Sequence, residues 1–326
     1  MKLIQSMSPQ IRSPRTTSWV MRQVLIALMF PNIAAIYFFG YMAIVNVFIT
    51  LISAVAFEAL YQFFTNQEIT IKDYSAAVTG VLMGLALPVT APWWSLILGS
   101  FIAIVIVKHF IGKGLGRNRL NPAVTSRVLL KVFLTPWITN WVKPGIDMVS
   151  TVTPLTHLGH GATSIPTGVD IPSLWNMFTG VNMGGNLGET SKIAILIGCL
   201  YLVLVGVINL KIPLLFVLST MVTMGLVSSV NLDFMLAHAL SGTLIFAAVY
   251  MATDYSSGAL TPQGQTVFAI GCGVLTALFR FLFDFPGGVG FAIIIMNLLA
   301  PTLDKYLAPR IYGYAKRHKV EFNRQS

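Results

Sequence analysis

Charge is scarce in this chain: Lys, Arg, Asp and Glu make up 10% of 326 residues against 55% hydrophobic residues, and the mean hydropathy is +0.76. A soluble domain carries about a quarter charged residues, so the shortage excludes that class and points to a polytopic membrane protein. Cysteine is nearly missing as well. Cys199 and Cys272 both fall inside apolar runs, too few for a disulfide framework or a thiolate cluster, and they read as small buried apolar residues. The histidines, His109, His157, His160, His238 and His318, are scattered over different elements, and two on one loop without a third ligand do not make a zinc or haem site. A secretory cleavage site is also lacking. Arg12, Arg15 and Arg22 precede the first apolar run, but no small-residue cleavage motif follows, so that run is expected to stay as a helix.

What the chain does have is one apolar run after another. Residues 24–40, 43–64, 93–110, 193–210, 213–230, 236–251, 267–283 and 287–303 each approach the roughly 20 residues needed to cross a bilayer, and the shorter 75–87 and 123–137 bring the expected spans to about ten. In lipid each must be helical, because a helix satisfies its own backbone groups. The formal net charge of +10 does not imply nucleic acid, since the basic residues sort by membrane side. With a cytoplasmic N-terminus, alternation of ten helices places Lys108, Lys113, Arg117, Arg119, Lys211 and the tail Lys316-Arg317-His318-Lys319 inside. Residues 138–190 then fall outside, with Lys143 as their only basic residue.

Two segments share an order of small residues. Thr79-Gly80, Gly114-Leu115-Gly116 and Asn121-Pro122-Ala123 in the first half are followed in the second by Ser241-Gly242, Gly288-Val289-Gly290 and Asn297 with Ala300-Pro301. Five helices per half is an odd number, so two such repeats would enter the membrane from opposite sides, as in inverted-repeat transporters. The expected organisation is a first transmembrane repeat over 1–137, a polar extracytoplasmic loop over 138–190, a second repeat over 191–309 and a basic cytoplasmic tail over 310–326. A loop that long in a compact protein is usually functional, and its Pro-Thr-Gly and Asn-Met-Gly-Gly-Asn turns argue for folded structure.

Within that loop, Asp147-Met148-Val149-Ser150-Thr151-Val152-Thr153 resembles Asp-x-x-Ser/Thr-x-x-Thr, the pattern at which a flavin transferase links FMN through its phosphate to the last threonine, here Thr153. A phosphoester needs an exposed hydroxyl outside the hydrocarbon, and Thr153 is expected to offer one. Pro154 and Leu155 then restart an apolar segment that would tuck the flavin against the membrane face. The nearby His160-Gly161-Ala162-Thr163 has the Gly-Ala-Thr ending common in such motifs, but His157 and His160 stand where Asp and Ser belong, so Thr153 is preferred to Thr163. Thr151-Val152 departs from the usual Gly-Ala or Ser-Ala.

Further segments carry a wider resemblance. Ser8-Pro9-Gln10-Ile11-Arg12, Met21-Arg22-Gln23-Val24, the run from Gly114 to Ala123, Gly184-Gly185-Asn186-Leu187-Gly188-Glu189-Thr190-Ser191, Met251-Ala252-Thr253-Asp254, and Gly290-Phe291-Ala292 leading to Met296-Asn297 cover nearly the whole chain. Together they are similar to the RnfD family, whose members belong to the Rnf ion-translocating ferredoxin:NAD oxidoreductase, and which is related to the NqrB component of the sodium-pumping NADH:quinone reductase. The resemblance implies an all-α, ten-helix inverted-repeat fold similar to urea transporters, in a bacterial or archaeal cytoplasmic membrane, with covalent FMN on the outer side. It implies an electron-transfer component of a translocase, inactive alone, working with the other Rnf proteins (RnfA, RnfB, RnfC, RnfE and RnfG), notably the flavin-bearing RnfG, and matured by a flavin transferase. Coupling to Na+ or H+ movement is part of that implication. By analogy with NqrB, the inner face near Arg117, Asn118, Asn121 and Asp254 would hold a second, non-covalent flavin such as riboflavin, while Glu189 and Thr190 are candidate cofactor-binding residues of the outer face.

The Gly-x-Gly turn at Gly114 follows no strand, so it lacks the context of a dinucleotide site. Asn121-Pro122 does open a helix with free backbone donors, and Arg117 and Arg119 suit anionic lipid equally well. Ionisable residues at membrane depth carry a functional default. Of these, Arg280 and Asp284 are spaced as a helical ion pair, and Glu58 reads as reaching headgroups. Two other readings stand beside the flavin carrier: a urea-transporter-like solute channel, which would bind no flavin, and an NqrB-type component of a quinone reductase. The short segment ahead of the first helix favours the Rnf assignment, since NqrB normally has a longer extension there.

Overall fold

The computed structural model describes residues 15–114, 116–145, 150–158, 164–165, 171–228, 230–283 and 287–309. Asp147, the alternative threonine Thr163 with His160, Asp284, the segment Ser8 to Arg12 and the basic tail therefore lie outside the described residues.

Numbered in chain order, α1 (Thr17–Phe39) and α2 (Tyr41–Phe64) are joined at Gly40, and α3 (Ser75–Leu85) follows a short polar turn. α4 (Trp93–Phe101) continues as a wider-wound stretch, Ile102–Ile111, before α5 (Pro122–Phe133). The connecting region holds α6 (Thr135–Ile138), β1 (Trp141–Val142), β2 (Ser150–Thr151), α7 (Pro154–His157) and α8 (Leu174–Thr179). The strands pair antiparallel, Trp141 with Thr151 and Val142 with Ser150. The second half comprises α9 (Lys192–Leu204), α10 (Lys211–Val227), α11 (Leu232–Leu240), α12 (Leu244–Phe246) with its extension Ala247–Met251, α13 (Pro262–Leu282) and α14 (Gly288–Tyr306).

The chain is mostly helical, and among the described residues five helices are long and apolar enough to span a membrane: α1, α2, α4 with its extension, α13 and α14. A sixth arises if the bent pair Leu232–Leu240 and Leu244–Met251 is one broken span, kinked by 62°. The runs at 75–87, 193–210 and 213–230 are helical over 11, 13 and 17 residues, less than the simple count of ten full spans requires. Large apolar side chains such as Ile33, Phe48, Leu200 and Leu218 face outward, as lipid contact requires.

Local sequence sets the helix starts. The side-chain oxygen of Asn121 accepts from Val124 N at 3.2 Å ahead of Pro122, and Thr261 accepts from Gly264 N at 3.1 Å ahead of Pro262. Packing depends on small residues, because lipid tails give no hydrophobic drive between helices. A Cβ on Gly80 of α3 would lie 2.8 Å from Leu51 Cα and from Thr50 O of α2, so only glycine permits this approach.

Hydrogen bonds between elements gather the chain at two ends, Lys108 with Ser75 and Asn121 with Met251 at one, Leu187 with Leu87 and Arg280 with His238 at the other. At one end lie the starts of α1, α3 and α5, the close of α4's extension and the 252–261 connection. At the other lie the close of α5, the start of α9, the close of α13 and the loop that carries Thr153.

Candidate functional site

At the loop end, Thr153 stands between β2 and α7, immediately ahead of Pro154 as the N-cap of that single turn. Its side chain is only 5% exposed, and its hydroxyl lies 3.0 Å from that of Thr156. This corrects the expectation of an open hydroxyl. Pro154 and Leu155 are buried and pull the start of α7 inward, and the hydroxyl finds a partner three residues on. Ser150, by contrast, is exposed beside Val142. Beside Thr153 opens a recess of about 490 Å³, mouth included, lined by Lys143, Thr151, Val152, Pro154, Pro172, Asn176, Asn182 and Gly184. A Cβ on Gly184 would stand 2.2 Å from Thr151 Cγ2, so the glycine lets the two backbones close this wall. The ammonium group of Lys143 and the amides of Asn176 and Asn182 give this recess donors for an anionic or polar group.

Beneath the loop the α11–α12 helix is broken. Gly242 has φ +66°, and the Leu155 side chain packs where its Cβ would point, 3.2 Å away. The break frees carbonyls that Arg280 takes up, donating from Nη1 to His238 O at 2.6 Å and from Nη2 to Ser241 O at 3.2 Å. Arg127 donates to Thr243 Oγ1 at 2.9 Å on the far side of the break. Arg280 was expected to pair with Asp284, which lies outside the described residues; among those described, its guanidinium donates to these carbonyls.

Glu189 and Thr190 are both buried here, but they close the short turn Leu187–Glu189 ahead of α9 and do not line the recess. Glu189 Oε1 accepts from Asn186 N at 3.0 Å, completing a capping box, and Thr190 Oγ1 donates to Asn186 O at 3.0 Å. Lys192 Nζ donates to Glu189 O. Arg127, Lys131, Lys192 and Arg280 all feel the Glu189 carboxylate. Sequence reasoning missed Lys192, although a lysine opening an apolar helix is a signal of its own.

At the opposite end a cavity of about 730 Å³, mouth included, collects Met21, Val24, Val78, Lys108, Asn118, Asn121, Tyr250 and Asp254 among its walls. Three of the residues expected at the inner face, Asn118, Asn121 and Asp254, thus come together, while Arg117 is exposed outside the lining. Asn121 Nδ2 donates to Met251 O at 3.1 Å, and Asn297, with its amide oxygen turned toward Asn121 N at 3.2 Å, donates to Ser257 O. The two asparagines singled out in the two halves therefore touch. Asp254 accepts from Ser256 Oγ and Ser257 Oγ, the latter at 2.8 Å. Lys108, expected among the cytoplasmic loop charges, is buried within α4's extension. It donates to both oxygens of Glu58, at 2.8 and 2.6 Å, and to Ser75 Oγ at 2.6 Å, so Glu58 does not reach headgroups. Among the described residues no cluster of His, Cys, Asp and Glu has the makings of a metal site.

Comparison with known proteins identifies the family. The chain is 39% identical to the RnfD-type component of the Na+-translocating ferredoxin:NAD+ oxidoreductase complex of Acetobacterium woodii, over 98% of both chains. It is 35% identical to the corresponding component of the proton-translocating ferredoxin:NAD+ oxidoreductase complex of Clostridium ljungdahlii, over 94% of this chain and 95% of that one. It is 32% identical to the corresponding component of the ion-translocating oxidoreductase complex of Escherichia fergusonii, over 95% and 98%. The first two names differ in the ion, so similarity at this level does not choose between Na+ and H+. The model of the NQR2, RnfD, RnfE family matches residues 4–313, and with these relatives it shows that the chain belongs to that family.

Proposed function

We propose that the chain is the RnfD-type electron-transfer component of an ion-translocating ferredoxin:NAD oxidoreductase complex and that it carries FMN through a phosphoester at Thr153. The observation that carries this reading is the position of Thr153, at the end of the pattern begun by Asp147 and Ser150 and at the edge of a polar recess. When bound, FMN supplies reversible electron acceptance. The chain's residues supply the rest: Lys143, Asn176 and Asn182 orient the tethered group, and Pro154 and Leu155 hold its anchor against the helix break. Because the Thr153 hydroxyl is buried, the transferase acts on the segment before it packs or when α7 opens.

The cavity at the other end suits a second, non-covalent flavin such as riboflavin. Apolar side chains from α1, α3 and the α12 extension form its walls, and Asn118, Asn121 and Asp254 supply edge hydrogen bonds. In this reading both termini are cytoplasmic, the Thr153 loop is extracytoplasmic, and the flavin-bearing RnfG docks at the loop end.

The test is co-expression with a flavin transferase, followed by denaturing electrophoresis and ultraviolet imaging. Covalent fluorescence that vanishes in Thr153→Val and persists in Thr163→Val is the expected result, with the intact mass giving one FMN increment. Wild-type protein without covalent fluorescence would sink the reading and favour a solute channel.

A further inference from the structure

Most side-chain amides set inside the spans have a partner within the chain. Asn46 donates to Val89 O at 2.9 Å, Asn297 donates to Ser257 O at 3.2 Å, and Gln23 accepts from Tyr201 Oη. Asn32 of α1 is partly exposed, and its amide makes no hydrogen bond among the described residues. The usual duty of a polar side chain beside a helix proline is already filled. Pro31 has no N–H to offer the carbonyl four residues back, Ala27 O, and Tyr250 Oη donates to that oxygen at 3.1 Å. Gly198 makes room for this bond, since a Cβ there would lie 1.9 Å from the tyrosine oxygen. The freed backbone therefore does not need Asn32.

Asn32 instead lines a groove of about 640 Å³, mouth included, between α1 and α2. Met29, Ile33 and Phe48 are more than half exposed in its walls, and Val47 and Val81 are buried within it. Val81 belongs to α3, which Gly84 lets approach α2: a Cβ there would lie 3.0 Å from Val47 Cα. Asn32 stands seven residues before the close of α1 at Phe39, roughly 10 Å along the axis, so its short side chain is inside the hydrocarbon. A lipid tail could fill the groove but would leave two donors and an acceptor desolvated and unpaired. A second copy docking by the same face across a two-fold axis would set groove against groove and enclose a void. A single convex helix meets both demands, of shape and of hydrogen bonding.

We propose that the α1–α2 groove seats a transmembrane helix of another component of the same membrane complex, which presents a serine, threonine or amide side chain to Asn32. Membrane helices associate through close packing and such hydrogen bonds. The inference rests on the chain's proposed place in a multi-component complex and is independent of the flavin at Thr153.

The experiment is photo-crosslinking in native membranes that contain the whole complex, with p-benzoylphenylalanine in place of Ile33 or Phe48. The control is the same group in place of Leu218, which is exposed on α10 outside the groove. Mass spectrometry names the attached peptide. Positions 33 and 48 are expected to capture the same apolar helix of one co-purifying component, and position 218 is expected not to capture it. Capture of lipid alone, of a second copy of this chain, or of the same helix from position 218 as well overturns the inference. In Asn32→Leu, which keeps an apolar surface and removes the amide, the ratio of partner to chain surviving detergent dilution should fall about threefold or more, as loss of a hydrogen bond between membrane helices implies. Asn32→Gln should stay near the parent ratio. An unchanged ratio in Asn32→Leu overturns the role of the amide and with it the proposal; should that variant not accumulate, the crosslinks, made with Asn32 in place, decide. A parent chain that purifies from native membranes without other membrane components overturns the place in a complex itself.

Discussion

If FMN is linked at Thr153 as proposed, the contact between the Thr153 and Thr156 hydroxyls couples folding to modification. Their hydrogen bond closes the turn that a phosphoester would have to open. In Thr156→Val the Thr153 hydroxyl loses its partner, which should cost about 1 kcal/mol of local stability. Loading by the transferase is expected to speed up, read as the initial rate of covalent fluorescence; an unchanged or slower rate would mean that the turn does not limit access. The sequence pattern identifies the threonine as a candidate but places its side chain wrongly. A polar loop suggests exposure, whereas Thr-Pro-Leu-Thr is also an N-cap followed by a helical turn, and that spacing turns the hydroxyl inward. Lys108 and Glu58 were misplaced for a related reason: each looks like the polar end of its helix, and only the packing of α2 on α4 brings their side chains together.

Among the elements, the break between α11 and α12 was the least legible. The run at 236–251 has the composition of an unbroken span, and Ser241-Gly242 looks like another small pair of the kind common in membrane helices. Two things that no local pattern records make it a break: the left-handed backbone of Gly242 and Arg280 of α13, which takes up the freed carbonyls of His238 and Ser241. Gly242→Ala should therefore cost about 1–2 kcal/mol from backbone strain, beyond any crowding of Leu155. The expected outcome is a lower unfolding temperature in detergent and reduced flavin loading at Thr153. Unaltered loading would separate the break from the site. By contrast, the long spans α1, α2, α13 and α14 were plain in the sequence, because length and hydropathy alone define them. The wider winding of Ile102–Ile111 and Ala247–Met251 was not, since it changes the hydrogen-bond step without changing composition.

For the molecule as a whole, the cavity at the N-terminal end is built by both halves: α1, α3 and α4's extension from one, the close of α9 and the α12 extension from the other. It is thus a property of assembly, not of any segment. Filling it from one wall, with Thr253→Trp, should leave covalent fluorescence at Thr153 intact while lowering the free flavin released by acid precipitation to a small fraction of the parent value. Equal release would place any non-covalent flavin elsewhere. The meeting of Asn121 and Asn297 was foreshadowed by their matching positions in the two halves, but their contact depends on how the halves interleave.

The distribution of buried charge has a consequence for how the chain enters the membrane. Glu58 and Lys108 find each other within the first half, so that half can neutralise its deepest ions as soon as α4 has inserted. Arg127 has no such early partner in the hydrogen bonds of the described residues: its hydroxyl acceptor, Thr243, is synthesised more than a hundred residues later. A lone arginine at the centre of an inserting helix costs about 2.5–3.5 kcal/mol in the insertion machinery. α5 is therefore a helix whose seat is secured late in biogenesis, when the second half arrives and supplies the hydroxyl partner of its arginine.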